Sequence, residues 1–119
     1  MSNHLIDLWI LDEEGRVIYS RADKLYPDDH LVGRLISALY TYTQGRFDDP
    51  LLRFTTPKHQ YYIIEQQGIL FTGRFPRDKT VKENTILKDL QKIRDMFFKR
   101  FTKEDLDANN YDIEKFIDF

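Results

Sequence analysis

Seven residues near the start, Leu5-Ile6-Asp7-Leu8-Trp9-Ile10-Leu11, form a strand-like segment that is apolar on both sides. Ile6, Leu8 and Ile10 line one face, Leu5, Trp9 and Leu11 line the other, and Asp7 alone interrupts. A strand of this kind is buried on both faces. The sheet that holds it therefore needs helices above and below, and the strand belongs in the middle of that sheet.

The remaining segments supply those layers. The first strand is expected over His4–Leu11 and the second over Arg16–Ser20. Asp12-Glu13-Glu14-Gly15 joins them as a turn in which Gly15 supplies a positive φ. An amphipathic helix is expected over Asp29–Gln44, capped by Asp28 or Asp29. Leu31, Leu35, Leu39 and Tyr42 form its apolar stripe, Val32, Ile36 and Tyr40 widen it, and Gly45 marks its stop. Three strands follow over Leu51–Thr55, Gln60–Glu65 and Ile69–Phe75, with turns short enough for an antiparallel meander.

A long helix is expected over Thr80–Phe101. Thr80-Val81-Lys82-Glu83 has the form of a capping box. Ile86, Leu90, Ile93, Phe97 and Phe101 recur at helical spacing, and Asp95 with Lys99 is an i,i+4 pair of favourable orientation. A last short helix is expected over Asp112–Phe119, where Ile113, Phe116 and Ile117 share a side and should dock.

These parts assemble in one way. The hairpin sets the second strand beside the first, and the meander joins the first strand's other side through the crossover helix. The expectation is an α+β fold in which a five-stranded antiparallel sheet, order 2-1-5-4-3, is flanked by helices in the sequence β-β-α-β-β-β-α(-α). The doubly apolar first strand places the helices on opposite faces. Residues 1–119 make one domain, with a core over 4–101 and a helical extension over 102–119.

Composition narrows the function. The 119 residues carry 18 basic and 20 acidic side chains, a net charge of −2, which gives no basic excess for nucleic acid. Cysteine is absent, which excludes disulfides, thiolate catalysis and Cys-type zinc sites and fits a cytoplasmic location. No apolar run approaches the ~20 residues that span a bilayer, and the first residues lack a secretory signal. No direct membrane insertion is expected. Nine Phe, seven Tyr and one Trp make the chain rich in rings, for the core or for an interface.

Catalytic and ligand motifs are weak. His4, His30 and His59 lack metal-ligand spacing. Asp12-Glu13-Glu14, Asp28-Asp29 and Asp48-Asp49 are explained by turns and helix caps as readily as by acid–base work. Gly73-Arg74-Phe75-Pro76-Arg77-Asp78-Lys79 precedes a helix and is basic, a weak phosphate candidate beside its reading as a solvated connector. Lysines along the long helix are interleaved with acids, as on a solvated face. No nucleophile–base pair stands out, so neither enzyme activity nor a cofactor is expected.

The layout resembles the longin domain, a relative of the profilin-like and roadblock folds. Leu8-Trp9-Ile10-Leu11-Asp12-Glu13-Glu14-Gly15-Arg16-Val17-Ile18-Tyr19-Ser20-Arg21 resembles the longin opening. Tyr61-Tyr62-Ile63-Ile64-Glu65 followed by Gly68-Ile69-Leu70-Phe71 resembles the family's fourth and fifth strands. The resemblance covers residues 4–101. The short lead before the first strand favours longin over roadblock, which carries a helix there. No SNARE coiled coil follows, so a stand-alone longin is the expectation.

What the resemblance implies is a protein-binding platform. Its partners would be a small Ras-like GTPase, another longin or roadblock subunit, or a membrane-trafficking complex. Pairing would run through the first helix and the third strand, whose edge offers unpaired backbone groups. Tyr40, Tyr42, Leu51, Arg53 and Phe54 would flank that edge. The competing reading is that Pro50, Arg53 and Pro57 protect it while the rings face the core. A second functional reading is a PAS-like or profilin-like sensor, with a small-molecule pocket lined by Trp9, Phe71 and Tyr62.

Overall fold

The computed structural model describes residues 4–21, 29–47, 52–78 and 80–101. Its elements run β1 (Asp7–Leu11), β2 (Val17–Arg21), α1 (Asp29–Phe47), β3 (Arg53–Thr55), β4 (His59–Gln66), β5 (Ile69–Pro76) and α2 (Glu83–Arg100). The sheet order is β2-β1-β5-β4-β3, antiparallel throughout. The expected fold class and strand order are those observed. The expected helix over Asp112–Phe119, and residues 22–28 and 48–51, lie outside the described residues.

Local chemistry explains the turns. In the β1–β2 turn, Asp12 Oδ1 accepts from the N–H groups of Glu14 and Arg16, each at 2.9 Å. Arg16 Nε sits 2.6 Å from Asp12 Oδ2, and Gly15 takes φ +83°. The β4–β5 turn is the two-residue Gln67-Gly68, with φ 53° and 79°. Positive φ at both positions is the hairpin geometry whose twist matches the flanking strands.

The sheet has a helix on each face. Leu8 and Ile10 point into a cluster with Phe71, Phe75, Tyr62 and the α2 residues Ile86, Leu90, Ile93 and Phe97. Trp9 and Leu11 point the other way, with Ile36 of α1, Ile63 and Leu70. Burying each such side chain is worth roughly 1.5–3 kcal/mol. The α2 layer holds more of them, so it is the better anchored.

Several details depart from the sequence expectations. β1 begins at Asp7 rather than His4, so the strand period does not govern what precedes it. Leu5 packs with Leu8 and Ile10 instead of Trp9, and Ile6 is exposed. The capping box does not form. Asp78 closes a turn instead, its carboxylate accepting from Thr80 N–H and its carbonyl from Val81 N–H, each at 3.0 Å. That turn delays the helix, whose N-cap is Lys82 with no side-chain cap. The ion pair observed at Asp95 is with Arg94, at 3.2 Å.

A further departure concerns α1. It runs past Gly45 to Phe47, because a glycine inside a helix costs only about 1 kcal/mol relative to alanine. Its sheet-facing stripe is Val32, Ile36 and Tyr40, with Gly33 and Ser37 between. Gly33 meets Gly15 backbone to backbone: a Cβ on Gly33 would stand 2.6 Å from the Gly15 carbonyl oxygen. Ser37 Oγ donates to the Glu13 carbonyl at 2.8 Å. These small residues pull that side of the helix onto the hairpin. Leu31, Leu35 and Tyr42, expected in the core stripe, are left 60%, 57% and 56% exposed.

Candidate interaction surface

β3 is one rim of the sheet, hydrogen-bonded to β4 on one side. It is short, and Leu52 extends its ladder by accepting from Ile63 N–H at 2.8 Å. Strand alternation splits its side chains. Phe54 faces the α1 layer, half-buried, and stacks on Tyr61 with centroids 4.5 Å apart and planes 6° off parallel. Tyr61 continues toward Trp9 at 6.4 Å. Arg53 faces the opposite side, its guanidinium 5.8 Å from the centroid of the Tyr62 ring.

The five expected partner residues are therefore not one patch. Tyr40 and Phe54 both pack on the cluster under α1. Burial, and then the nearby Glu65 carboxylate, raise the Tyr40 pKa. Tyr42 stands on the outward side of α1, and Arg53 lies across the sheet. Leu51 lies outside the described residues. At the rim Phe54 faces inward, while Tyr42 and Leu52 are exposed. The exposed Leu31 and Leu35 were missed as surface residues. The signal that would have found them is Gly33 and Ser37, small residues four apart on the Val32–Ile36 side.

A line of cross-strand neighbours leads from the rim inward. Phe54 pairs with Tyr61, Tyr61 with Arg74, and Arg74 with Asp7. Arg74 Nε lies 2.6 Å from Asp7 Oδ2, with side chains 9% and 1% exposed. This approach is a charge contact, off the axis of an aligned hydrogen bond. Arg74 is thus committed to a buried pair, which removes it from any phosphate loop.

His59 lies on the same face as this line, and its pKa is lowered from the ordinary 6.5. Burial is the main cause. Arg74 and Lys58 add to it, while Asp7 opposes. The fold thus favours neutral His59. Its contribution to stability is complete above pH 6.5 and lost as pH falls through the lowered value. His59→Gln is expected to flatten the loss of stability between pH 7 and about pH 5 in chemical denaturation. An unchanged slope would remove His59 from the acid response.

A recess of about 440 Å³ opens between α1 and the hairpin ends, lined by Glu13, Glu14, Tyr40, Thr41, Gln44, Glu65, Gly68 and Leu70. Its three carboxylates oppose nucleotide phosphates. The pocket expected for a sensor does not form: Trp9 is buried on the α1 side, Phe71 and Tyr62 on the α2 side. Among the described residues no group of three or more His, Asp or Glu could hold a metal. No helix of the described residues is long and apolar enough to cross a membrane.

A five-stranded antiparallel sheet in this order with two helices is a longin/roadblock-type fold, and this chain has it. Solved structures share it at low identity. Myxococcus xanthus MglB matches with a TM-score of 0.57 and 14% identity, over 78% of this chain and 83% of that one. A Roadblock/LC7 domain from Streptomyces avermitilis matches at 0.56 and 18% identity, over 76% and 83%. The gliding protein MglB from Thermus thermophilus matches at 0.54 and 15%, over 74% and 70%. No protein-family model and no curated protein matches the sequence.

Proposed function

We propose that this chain is a non-enzymatic interaction module of longin type. It pairs with a second copy, or with another longin or roadblock subunit, through α1 and β3, and the joined surface binds a small Ras-like GTPase. One observation carries this reading: a short rim strand lies in the same fold as a helix that leaves Leu31, Leu35 and Tyr42 exposed. Apolar side chains at that spacing on one helix are costly in water unless a partner covers them. A solved MglB structure described as having a tetrameric arrangement, TM-score 0.55 and 14% identical, supports assembly as the role of the fold.

Light scattering over a concentration series should find the purified chain pairing as its concentration rises. Leu35→Asp puts a charge on an exposed site, so the melting temperature should barely move. Pairing should weaken about 30-fold or more, the loss typical of a central apolar contact. Leu52→Asp, at an exposed site beside the rim strand, should act likewise. Calorimetric titration with Ras-like GTPases in both nucleotide states tests the partner. Heat with one state is the expected result, and no heat with any of them would remove the GTPase from the reading. Pairing untouched by Leu35→Asp and Leu52→Asp would remove the interface.

A further inference from the structure

The outward side of α1 has a chemical character of its own. Leu31, Arg34, Leu35, Ala38, Tyr42 and Arg46 fall on it at helical spacing, and all six are exposed. No carboxylate occurs anywhere from His30 to Phe47. The face is therefore apolar along its middle and positive toward both ends. It suits an acidic segment with apolar residues on one side.

The chain carries such a segment. Residues 102–119 hold six carboxylates against two lysines, a net charge of −4, whereas the whole chain stands at −2. The preceding 101 residues are therefore net +2. Within this acidic stretch, Ile113, Phe116 and Ile117 recur at the spacing of one helical side. We propose that residues 112–119 dock, apolar side down, along the outward side of α1 between Arg34 and Arg46.

The geometry permits it. α2 ends at Arg100, on the face of the sheet opposite α1. Sheet and helix layers are each about 10 Å deep, so the outside of α1 stands roughly 25 Å from α2 in a straight line. The connecting residues 102–111 reach up to about 35 Å when extended, which leaves a margin of about 10 Å for the detour around the rim. A short tether also supplies an effective concentration on the order of 1 mM. A contact with a Kd of only ~0.1 mM is then occupied about nine-tenths of the time.

Docking has a consequence that rests on the proposed pairing: the tail and a second subunit exclude each other from α1. The tail would then hold the chain back from assembly.

The absence of native cysteine makes the test direct. In the full-length chain, Ala38→Cys with Lys115→Cys is treated with a short bismaleimide at low protein concentration. Gln91→Cys, exposed on α2, with Lys115→Cys serves as reference. The first pair should link within one chain roughly tenfold faster than the second, as a docked tail spends most of its time at α1. Adding Arg34→Glu and Arg46→Glu should return it to the reference rate. Equal rates, or links found only between chains, would overturn the docking. Neutralising the tail with Asp112→Asn, Glu114→Gln and Asp118→Asn should strengthen pairing in light scattering, and unchanged pairing would overturn the exclusion. Crosslinking reads docking alone and scattering reads pairing, so the two failures are told apart.

Discussion

Phe71→Ala will cost about 3–5 kcal/mol of folding stability, the range for emptying a buried aromatic site. Phe71 is fully buried on β5, the central strand of the sheet, where it pairs with Ile10 on one side and Ile64 on the other. Its ring meets Phe97 edge-on at 5.5 Å and Phe98 at 5.9 Å, so it is a main seat of α2 on the sheet. The alanine variant loses the transfer energy, leaves a cavity and forfeits those ring contacts. Domains of this size hold only about 5–15 kcal/mol in total, so the variant should stand near the edge of unfolding. Phe71→Leu keeps most of the volume and should lose about 1.5 kcal/mol. Urea denaturation followed by circular dichroism measures both. A loss under about 1 kcal/mol for the alanine variant would show that α2 is seated elsewhere.

Breaking the Asp7–Arg74 pair should be nearly as damaging. Both groups are buried, so removing one leaves the other charged without its counter-ion in a poorly solvated site. Arg74→Met or Asp7→Leu alone is expected to cost about 3–5 kcal/mol. The double substitution should return to within about 1 kcal/mol of the parent, because two apolar side chains need neither charge nor hydrogen bonds. Single losses that simply add in the double variant would mean the two residues act independently. The line from Asp7 through Arg74 and Tyr61 ends at Phe54 on the rim. The double variant therefore also tests whether the proposed pairing through β3 depends on the pair or only on the stability it supplies.

Much of the architecture can be read from local pattern. The doubly apolar first strand forces an interior position, between β2 and β5 rather than at the very middle, and the hairpin and meander then leave one strand order. α2 is legible because its apolar residues share one stripe and its charges occupy the rest. α1 is not, because two apolar stripes overlap on it. The choice between them is made by the approach of Gly33 to Gly15, a contact between segments that sequence spacing does not join. Thr80 and Glu83 have the right separation for a cap, but Asp78 takes the Thr80 N–H that the Glu83 carboxylate would have accepted from. Asp7 reads as an interruption and Arg74 as part of a basic connector. Only strand register reveals them as one pair. At the rim, Phe54 and Arg53 are adjacent in sequence and for that reason point to opposite sides of the sheet.

The burial of Trp9 gives the molecule a built-in optical probe. It is the sole tryptophan, fully enclosed, and it lies on the side of the sheet that α1 covers. Its emission colour is therefore set by how tightly that lighter layer closes, while the heavier α2 layer leaves it largely untouched. Any event that lifts α1 admits water to the indole and shifts its light to the red, without a label being attached.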